Sequence, residues 1–299
     1  MNNNRDSFKR VYNLNKSIRL KKEYPLNIIK KRERESNKGS YGKVGIIGGC
    51  KNMPGAVILS AKGALSTGSG LVNCIIPSCI LDIVSSIVYE STFTPLKHID
   101  GTIILEEKDL NLILDKYDSI AFGIGISQSD SLIKPLEYII LNYNRGLVID
   151  ADGLNLLSKN TNILKKSKSK NIVLTPHPLE MKRLTGLSVD YINSNREEVA
   201  LKFAKENNCT LLLKGHRTVV TDGDRVYINK SGNPGMATGG SGDVLTGIIT
   251  SLLGQGYSSY NSAVLGSFIH GLAGDAAYNH YGNGLTASAI TNYIGEYVK

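Results

Sequence analysis

The sequence predicts an α/β fold in which helices cover both faces of a doubly wound, mostly parallel sheet. Strand-like apolar runs alternate with helix-like runs along most of the 299-residue chain, a pattern typical of parallel βαβ units. Several strand-like runs end in glycine or aspartate, as at Gly48 and Asp150, which indicates tight connections to the next helix. The last third of the chain has a helical pattern, and 41% hydrophobic residues suffice for a packed core.

Short apolar runs bounded by turn residues indicate strands, and apolar residues at helical spacing indicate helices. The predicted strands are 43–49, 71–77, 119–125, 146–152, 171–175, 210–214, 218–221 and 225–229. The predicted helices are 55–65, 80–89, 132–142, 154–158, 179–184, 196–206, 244–253, 260–278 and 287–297. Ligands of open parallel sheets bind at the carboxyl ends of the strands, so the residues after each strand are the site candidates.

Basic residues are concentrated at the N-terminus. The formal net charge is +9, and residues 1–38 hold 12 Lys/Arg against 4 Asp/Glu, which leaves about +1 for the remaining 261 residues. We therefore expect a basic arm, residues 1–37, followed by one domain, residues 38–299. Because the arm lacks the interleaved aromatic residues of single-strand binding surfaces, we expect a solvated or interface-forming segment and no nucleic-acid partner.

The cysteines and the lengths of the apolar runs indicate the cellular compartment. Four cysteines occur without a CxxC pair, and no histidine stands at metal-ligand spacing, so we predict no metal ligands and a reduced interior. No run approaches the roughly 18 uninterrupted apolar residues of a membrane helix, and the N-terminus has no apolar signal core. We expect a cytoplasmic protein without a membrane partner.

The glycine-dense turn 239–243 precedes a helix-like apolar run. Gly240, Ser241 and Gly242 allow backbone conformations in which successive N–H groups converge at a helix N-terminus, which is an anion hole. Asp243 follows directly. Two interpretations of this aspartate stay open: it caps the helix, or it removes a proton from a hydroxyl held beside a phosphate.

Three more polar clusters follow predicted strands. Prolines on both sides hold His177 in an extended loop, either as a structural residue or as a ligand contact. The run 214–218 carries Lys, His and Arg, which suits nucleotide phosphates or a ribose, or a solvated charged turn. Asp150 and Asp152 could hold magnesium-bound water or cap the next helix; we favour a cap for Asp152 and leave Asp150 open.

The glycine turns supply the candidates for the pocket rim and are the places where a nucleotide-binding motif would occur. The rim candidates after the first strand are Gly48, Gly49, Pro54, Gly55 and Ala56. No glycine turn carries the lysine of a Walker A sequence, so a phosphate site must be built differently.

The order of the motifs is similar to that of a known family. The motifs are Lys38-Gly-Ser-Tyr-Gly, Gly48-Gly with Pro54-Gly-Ala, Phe122-Gly-Ile-Gly, Asp150-Ala-Asp-Gly-Leu-Asn, Thr175-Pro-His-Pro, Lys214-Gly-His-Arg-Thr and Gly239-Gly-Ser-Gly-Asp. Over residues 38–299 the chain resembles the ADP-dependent NAD(P)H-hydrate dehydratases. These enzymes have the ribokinase-like fold and are related to the C-terminal half of bifunctional nicotinamide nucleotide repair proteins.

The resemblance implies dehydration of (S)-hydrated NADH or NADPH, with ADP or ATP as phosphoryl donor, Mg²⁺ as cofactor, and a stand-alone homotetramer. It implies that Asp243 is the catalytic base. The residues implied for the hydrated dinucleotide are Ala56, Gly125, His177 and Asp243. Those implied for the adenine nucleotide are Lys214, Gly215, His216, Arg217, Thr218 and Gly242.

Two departures and two alternatives accompany this resemblance. Leu179 stands where the family commonly has glycine, and Ala289 replaces an acidic residue. The nearest alternative is a small-molecule kinase of the same fold, acting on a thiazole or pyrimidine alcohol. A non-catalytic nucleotide-binding regulator that uses its basic arm on nucleic acid is the alternative from another class.

Overall fold

Nine strands form the main sheet of the computed structural model, which describes residues 25–299. They are β1 Lys43–Ile47, β2 Leu71–Pro77, β3 Thr92–Leu96, β6 Ser119–Phe122, β7 Gly146–Ile149, β8 Ile172–Leu174, β9 Thr210–Leu213, β10 Val219–Thr221 and β11 Val226–Ile228. A separate hairpin joins β4 His98–Ile99 to β5 Thr102–Ile103. The sheet order is β11-β10-β9-β8-β7-β6-β1-β2-β3, with antiparallel pairing only at β9–β10 and β10–β11.

The α-helices connect and flank these strands. They are α1 Pro54–Ser66, α2 Leu81–Ser85, α3 Glu107–Lys116, α4 Ile133–Asn142, α5 Asp152–Leu157, α6 Pro178–Thr185, α7 Val189–Ser194, α8 Arg196–Asn207, α9 Ser241–Gly254, α10 Ser259–Tyr281 and α11 Ala287–Thr291. Short 3-10 turns lie between several of them. Most parallel strands are followed by such a helix, as the alternation of apolar runs predicts.

Alternate residues of each strand enter different apolar cores. Ile120 and Phe122 of β6 pack in the core beneath α3 to α8, whereas Ala121 packs in the core formed with α1, α2, α9 and α10. A third cluster joins α9, α10 and α11. Both faces of the sheet are thus covered, and the predicted doubly wound α/β architecture is confirmed.

Helices α1 and α9 approach each other at backbone distance. A Cβ atom added to Gly63 would lie 2.5 Å from the carbonyl oxygen of Val244, and one added to Gly247 would lie 1.9 Å from that of Ser60. Only glycine fits at such close approaches. This packing fixes the N-terminal part of α9 against the second half of α1.

Some element predictions were wrong. The helix predicted over 287–297 is α11 followed by a separate 3-10 turn, Ile294–Tyr297, and the helix predicted over 80–89 shrinks to α2. The edge strand β3 was missed because Pro95 interrupts its pattern, although proline is tolerated at a sheet edge. Helices α3 and α7 and the β4–β5 hairpin were also missed.

The described part of the predicted arm lies on the domain. Leu26 and Ile29 pack against the cluster of α9 and α10, and the Lys30 backbone N–H donates to the Tyr257 hydroxyl over 2.7 Å. Residues 1–24 of the predicted arm lie outside the described residues. Within residues 25–299, no helix is long and apolar enough to cross a membrane.

Candidate functional site

The predicted clusters meet at one edge of the sheet. Strands β1, β6, β7, β8 and β9 are parallel neighbours, so their carboxyl ends share that edge. The residues that directly follow these strands are Gly48 after β1, Gly123 after β6, Asp150 after β7, the loop before His177 after β8, and Lys214 after β9.

The glycine turn lies directly before α9 and forms its N-terminus. Gly240 is the N-cap residue, with φ +86°, and no side chain caps the helix. A Cβ atom at Gly240 would lie 2.2 Å from Leu59 Cδ1, so the position needs glycine for both space and conformation. The capping interpretation of Asp243 was wrong, because Asp243 is the third residue of the helix and forms no cap hydrogen bond. The Ser241 N–H donates to the Thr238 carbonyl over 3.4 Å, whereas the N–H groups of Gly242 and Asp243 have no capping side chain.

Asp243 is partly buried beside two other acids. Burial, together with the negative charges of Asp150 and Asp152, raises its pKa to about 7, although the charge of Lys214 opposes the change. A carboxyl group whose pKa lies near neutrality can accept a proton and release it again at the pH of the cell. Asp243 therefore has the electrostatic setting of a general base.

Lys214 and Asp150 form a buried ion pair at the centre of the edge. The Nζ atom of Lys214 lies 2.7 Å from Asp150 Oδ1 and 3.8 Å from Glu180 Oε2. The Thr246 hydroxyl donates to Asp150 Oδ2 over 2.6 Å, so both carboxylate oxygens are engaged. Burial alone would raise the pKa of Asp150, but the charge and hydrogen bond of Lys214 hold this pKa below its ordinary value. Asp150 is thus the ion-pair partner of Lys214.

The lysine also faces the glycine turn. A Cβ atom added to Gly242 would lie 3.5 Å from Lys214 Nζ. Burial opposes the charge on Lys214, but Asp150 and Glu180 raise its pKa above the ordinary value, so the ammonium stays charged. An anion in the turn would thus meet both the N–H groups of the helix start and an ammonium group.

Asp152 does not cap its helix as predicted. It is the first residue of α5, the N-cap residue is Ala151, and no side-chain cap forms. Instead, its Oδ2 atom accepts the backbone N–H of Ser127 over 3.0 Å, which ties the loop after β6 to the start of α5. Its carboxylate is one of the charges that raise the pKa of Asp243.

His177 caps α6 with its side chain. Nδ1 accepts the backbone N–H groups of Leu179 and Glu180 over 3.1 and 3.2 Å, and Glu180 Oε2 accepts the His177 N–H over 2.7 Å. Burial and the charge of Lys214 lower the pKa of His177, so the ring is neutral near pH 7. Because Nδ1 is an acceptor, the proton of the neutral ring is on Nε2. Nε2 lies 3.4 Å from Glu180 Oε1, a long contact, and 45% of the side chain is exposed, so the Nε2 proton is also within reach of a ligand.

The turn between β9 and β10 contains the other candidates for the nucleotide. Gly215, His216 and Arg217 are exposed, and the Thr218 hydroxyl donates to the Gly215 carbonyl over 3.0 Å. Arg217 adopts φ +55°, an uncommon conformation outside glycine.

Ala56 and Gly125 come together, as candidates for one pocket rim should. A Cβ atom on Gly125, whose φ is +58°, would lie 2.7 Å from Ala56 Cβ. The Gly49 N–H donates to the Ile124 carbonyl over 2.8 Å, which joins the loops after β1 and β6.

The sequence did not single out Glu180, Thr246 or His270. Burial and the charge of Asp150 raise the pKa of Glu180 to about 7, although the charge of Lys214 lowers it. His270 of α10 places Nε2 3.3 Å from the Ser241 hydroxyl, and burial lowers its pKa to about 4. The spacing of Glu180, three residues after His177, matches a capping box and could have revealed it; His270 carries no local signal.

Comparison with known proteins agrees with this geometry. A family model described as NAD(P)H-hydrate dehydratase matches residues 44–296. The chain is 39% identical to a bifunctional NAD(P)H-hydrate repair enzyme of Moorella thermoacetica over 85% of this chain and 48% of that protein. The chain therefore spans about half the length of that relative. It is 34% identical to an ADP-dependent (S)-NAD(P)H-hydrate dehydratase of Neisseria meningitidis, over 83% of this chain and 81% of the relative.

Solved structures show the same fold. An ADP/ATP-dependent NAD(P)H-hydrate dehydratase of Bacillus subtilis, crystallised with ATP/Mg²⁺, matches with a TM-score of 0.80 at 24% identity, over 94% of this chain and 98% of that one. Ribokinase of Arabidopsis thaliana matches with a TM-score of 0.56 at 12% identity, over 86% and 99%. These likenesses confirm the ribokinase-like fold. Together with the family match and the Neisseria relative, they leave one assignment: the chain belongs to the NAD(P)H-hydrate dehydratase family.

Proposed function

We propose that the protein dehydrates (S)-hydrated NADH or NADPH and couples this reaction to cleavage of ADP or ATP. The observation that carries the proposal is the position of Asp243, a carboxyl with pKa near 7 in the first turn of α9, next to the anion hole and Lys214. Membership in the family and the name of the Neisseria relative support the substrate and favour ADP.

The chemistry explains why a phosphoryl donor is needed. Hydroxide is a poor leaving group, whereas phosphate is a good one. Asp243 accepts the proton of the substrate hydroxyl, whose oxygen attacks the terminal phosphorus of the donor, and AMP leaves from ADP with the electron pair of the broken P–O bond. Phosphate then leaves the ring carbon, the neighbouring carbon loses a proton, and the double bond is restored. The products are NAD(P)H, AMP and phosphate.

Charge that develops on the transferred group would meet fixed donors. Gly240, Ser241 and Gly242 would form the anion hole with their backbone N–H groups, and Lys214 would add its ammonium. The residues proposed for the hydrated dinucleotide are Ala56, Gly125, His177 and Asp243. The residues proposed for the adenine nucleotide are Lys214, Gly215, His216, Arg217, Thr218 and Gly242.

Mg²⁺ enters the proposal with the nucleotide. Among residues 25–299 no group of three His, Cys, Asp or Glu side chains is placed to hold a metal ion, and both oxygens of Asp150 are occupied. Mg²⁺ commonly keeps its waters and binds phosphate oxygens with few protein ligands, so this site fits an ion carried by the donor. The ion would supply neutralisation of phosphate charge.

The resemblance also supports a cytoplasmic homotetramer with a basic arm at 1–37 and a catalytic domain at 38–299. Light scattering on the purified chain measures the assembly, and a monomer at working concentration contradicts the tetramer.

The decisive assay uses (S)-hydrated NADH, Mg²⁺ and either ADP or ATP. We expect recovery of absorbance at the reduced-nicotinamide band, with one AMP and one phosphate per NADH when ADP is the donor. Absence of recovery with both nucleotides contradicts the proposal. Transfer of phosphate to a thiazole or pyrimidine alcohol, without recovery of NADH, would favour the kinase alternative.

A further inference from the structure

Arg196 is a half-buried cation under the proposed nucleotide turn. Its Nη2 atom donates to the carbonyl oxygens of Leu213 and Lys214, over 2.7 and 3.0 Å. These two carbonyls end β9, so the guanidinium supports the strand at the point where the turn 214–218 begins.

The turn is shaped around this guanidinium. Gly215 has φ +142°, and a Cβ atom added there would lie 3.1 Å from Arg196 Nη2 and 3.2 Å from Nη1. Glycine at this position leaves only backbone between the guanidinium and the exposed side of the turn. The charge of Arg196 can therefore act on a ligand that lies over Gly215.

Among the described residues, Lys214 has carboxylate partners for its charge and Arg196 has none. Lys214 contacts two carboxylates, those of Asp150 and Glu180. Within residues 25–299, Arg196 makes no ion pair with a carboxylate, and its buried Nε atom has no hydrogen-bond partner. Burial of a charge without an opposite partner is unfavourable, and a bound anion would compensate the half-buried guanidinium.

We propose that Arg196 is a positioning residue for the phosphates of the donor nucleotide. It fixes the turn 214–218 through two carbonyls and adds a second positive charge to that of the Lys214 ammonium. The anion that it serves is a nucleoside diphosphate or triphosphate. This inference rests on the proposed function, because it needs the donor to bind at this turn.

The test compares Arg196→Met, Arg196→Lys and Arg145→Met. Arg145 is a matched control, because it also donates to a backbone carbonyl, that of Tyr117 over 2.9 Å, but precedes β7 at the opposite edge of the sheet. ADP affinity is measured by calorimetry at two salt concentrations, and KM for each substrate and kcat are measured in the NADH-recovery assay.

For Arg196→Met we expect an ADP Kd and KM about tenfold higher, a weaker salt dependence of binding, and a KM for hydrated NADH within twofold of the unchanged protein. Arg196→Lys keeps the charge and should recover part of the loss, and Arg145→Met should leave all three values unchanged. Unchanged ADP affinity in Arg196→Met, or in the neutral variant Arg196→Gln if the first variant does not fold, overturns the inference. An unchanged protein that binds no adenine nucleotide would instead contradict the proposed function.

Discussion

Lys214 Nζ lies 2.7 Å from Asp150 Oδ1, and Asp150 is only 1% exposed. Removal of one partner of a buried pair leaves the other charge without compensation, and this costs about 3 kcal/mol or more. Asp150 comes from the end of β7 and Lys214 from the end of β9, so the pair joins strands that are separated in the sheet by β8.

Asp150→Asn should lower the free energy of unfolding by about 3 kcal/mol, because Lys214 would keep only the more distant Glu180. Urea unfolding measures the change. Asp130→Asn is the control, since Asp130 pairs with Lys159 on an exposed surface, and such pairs contribute about 0–1 kcal/mol. Equal losses in the two variants would show that burial does not strengthen the dependence on the Asp150 pair.

Asp243→Asn should leave ADP binding within about threefold and reduce kcat at least about 100-fold, because it removes the base and keeps the shape of the turn. In the unchanged protein kcat/KM should rise with pH through a midpoint near 7, where the Asp243 carboxyl loses its proton. Stopped assays between pH 5.5 and 8.5 measure both. Normal turnover in the variant, or a profile without a step near 7, contradicts the assigned role.

The raised pKa of Asp243 also predicts a pH-dependent stability. Between the ordinary value of 3.8 and about 7, the folded state holds a proton that the unfolded state has lost, so stability falls as the pH rises through this window. Asp243→Asn removes this effect. The variant should match the unchanged protein near pH 4 and exceed it by about 1–3 kcal/mol at pH 8. Thermal and urea unfolding at both values measure the difference, and a gain independent of pH would contradict it.

The two roles of the His177 side chain, helix cap and proposed hydrogen-bond donor, can be tested separately. His177→Asn keeps a side-chain acceptor for the helix N-terminus but is too short to replace the Nε2 donor, whereas His177→Ala loses both. Both variants should raise KM for hydrated NADH about tenfold, and only the alanine variant should lose about 1 kcal/mol of stability. Ser188→Ala, which uncaps α7, is the control that should lose stability alone. Equal increases of KM for the hydrate and for ADP would move His177 out of the substrate site.

The shared sheet edge could be predicted from the sequence, because parallel strands that alternate with helices end at the same side. His177 and Lys214 follow directly from that rule, whereas Asp243 follows from the glycine turn before α9. Their partners do not, since contacts between Lys214 and Asp150 or between Thr246 and Asp150 span 64 and 96 residues of sequence. The sequence position of Asp152 favours a helix cap, but in the folded chain its carboxylate accepts the Ser127 N–H of a neighbouring loop.

The antiparallel pair β9–β10 has a consequence for how proteins of this kind diverge. The turn 214–218 that would hold the donor is one contiguous hairpin connection, whereas Ala56 and Gly125 belong to two separate strand-to-helix loops. Substitutions or insertions in the hairpin can therefore alter the choice between nucleotides without disturbing the opposite rim. A lineage could thus change its preferred nucleotide while the rim at Ala56 and Gly125 stays the same.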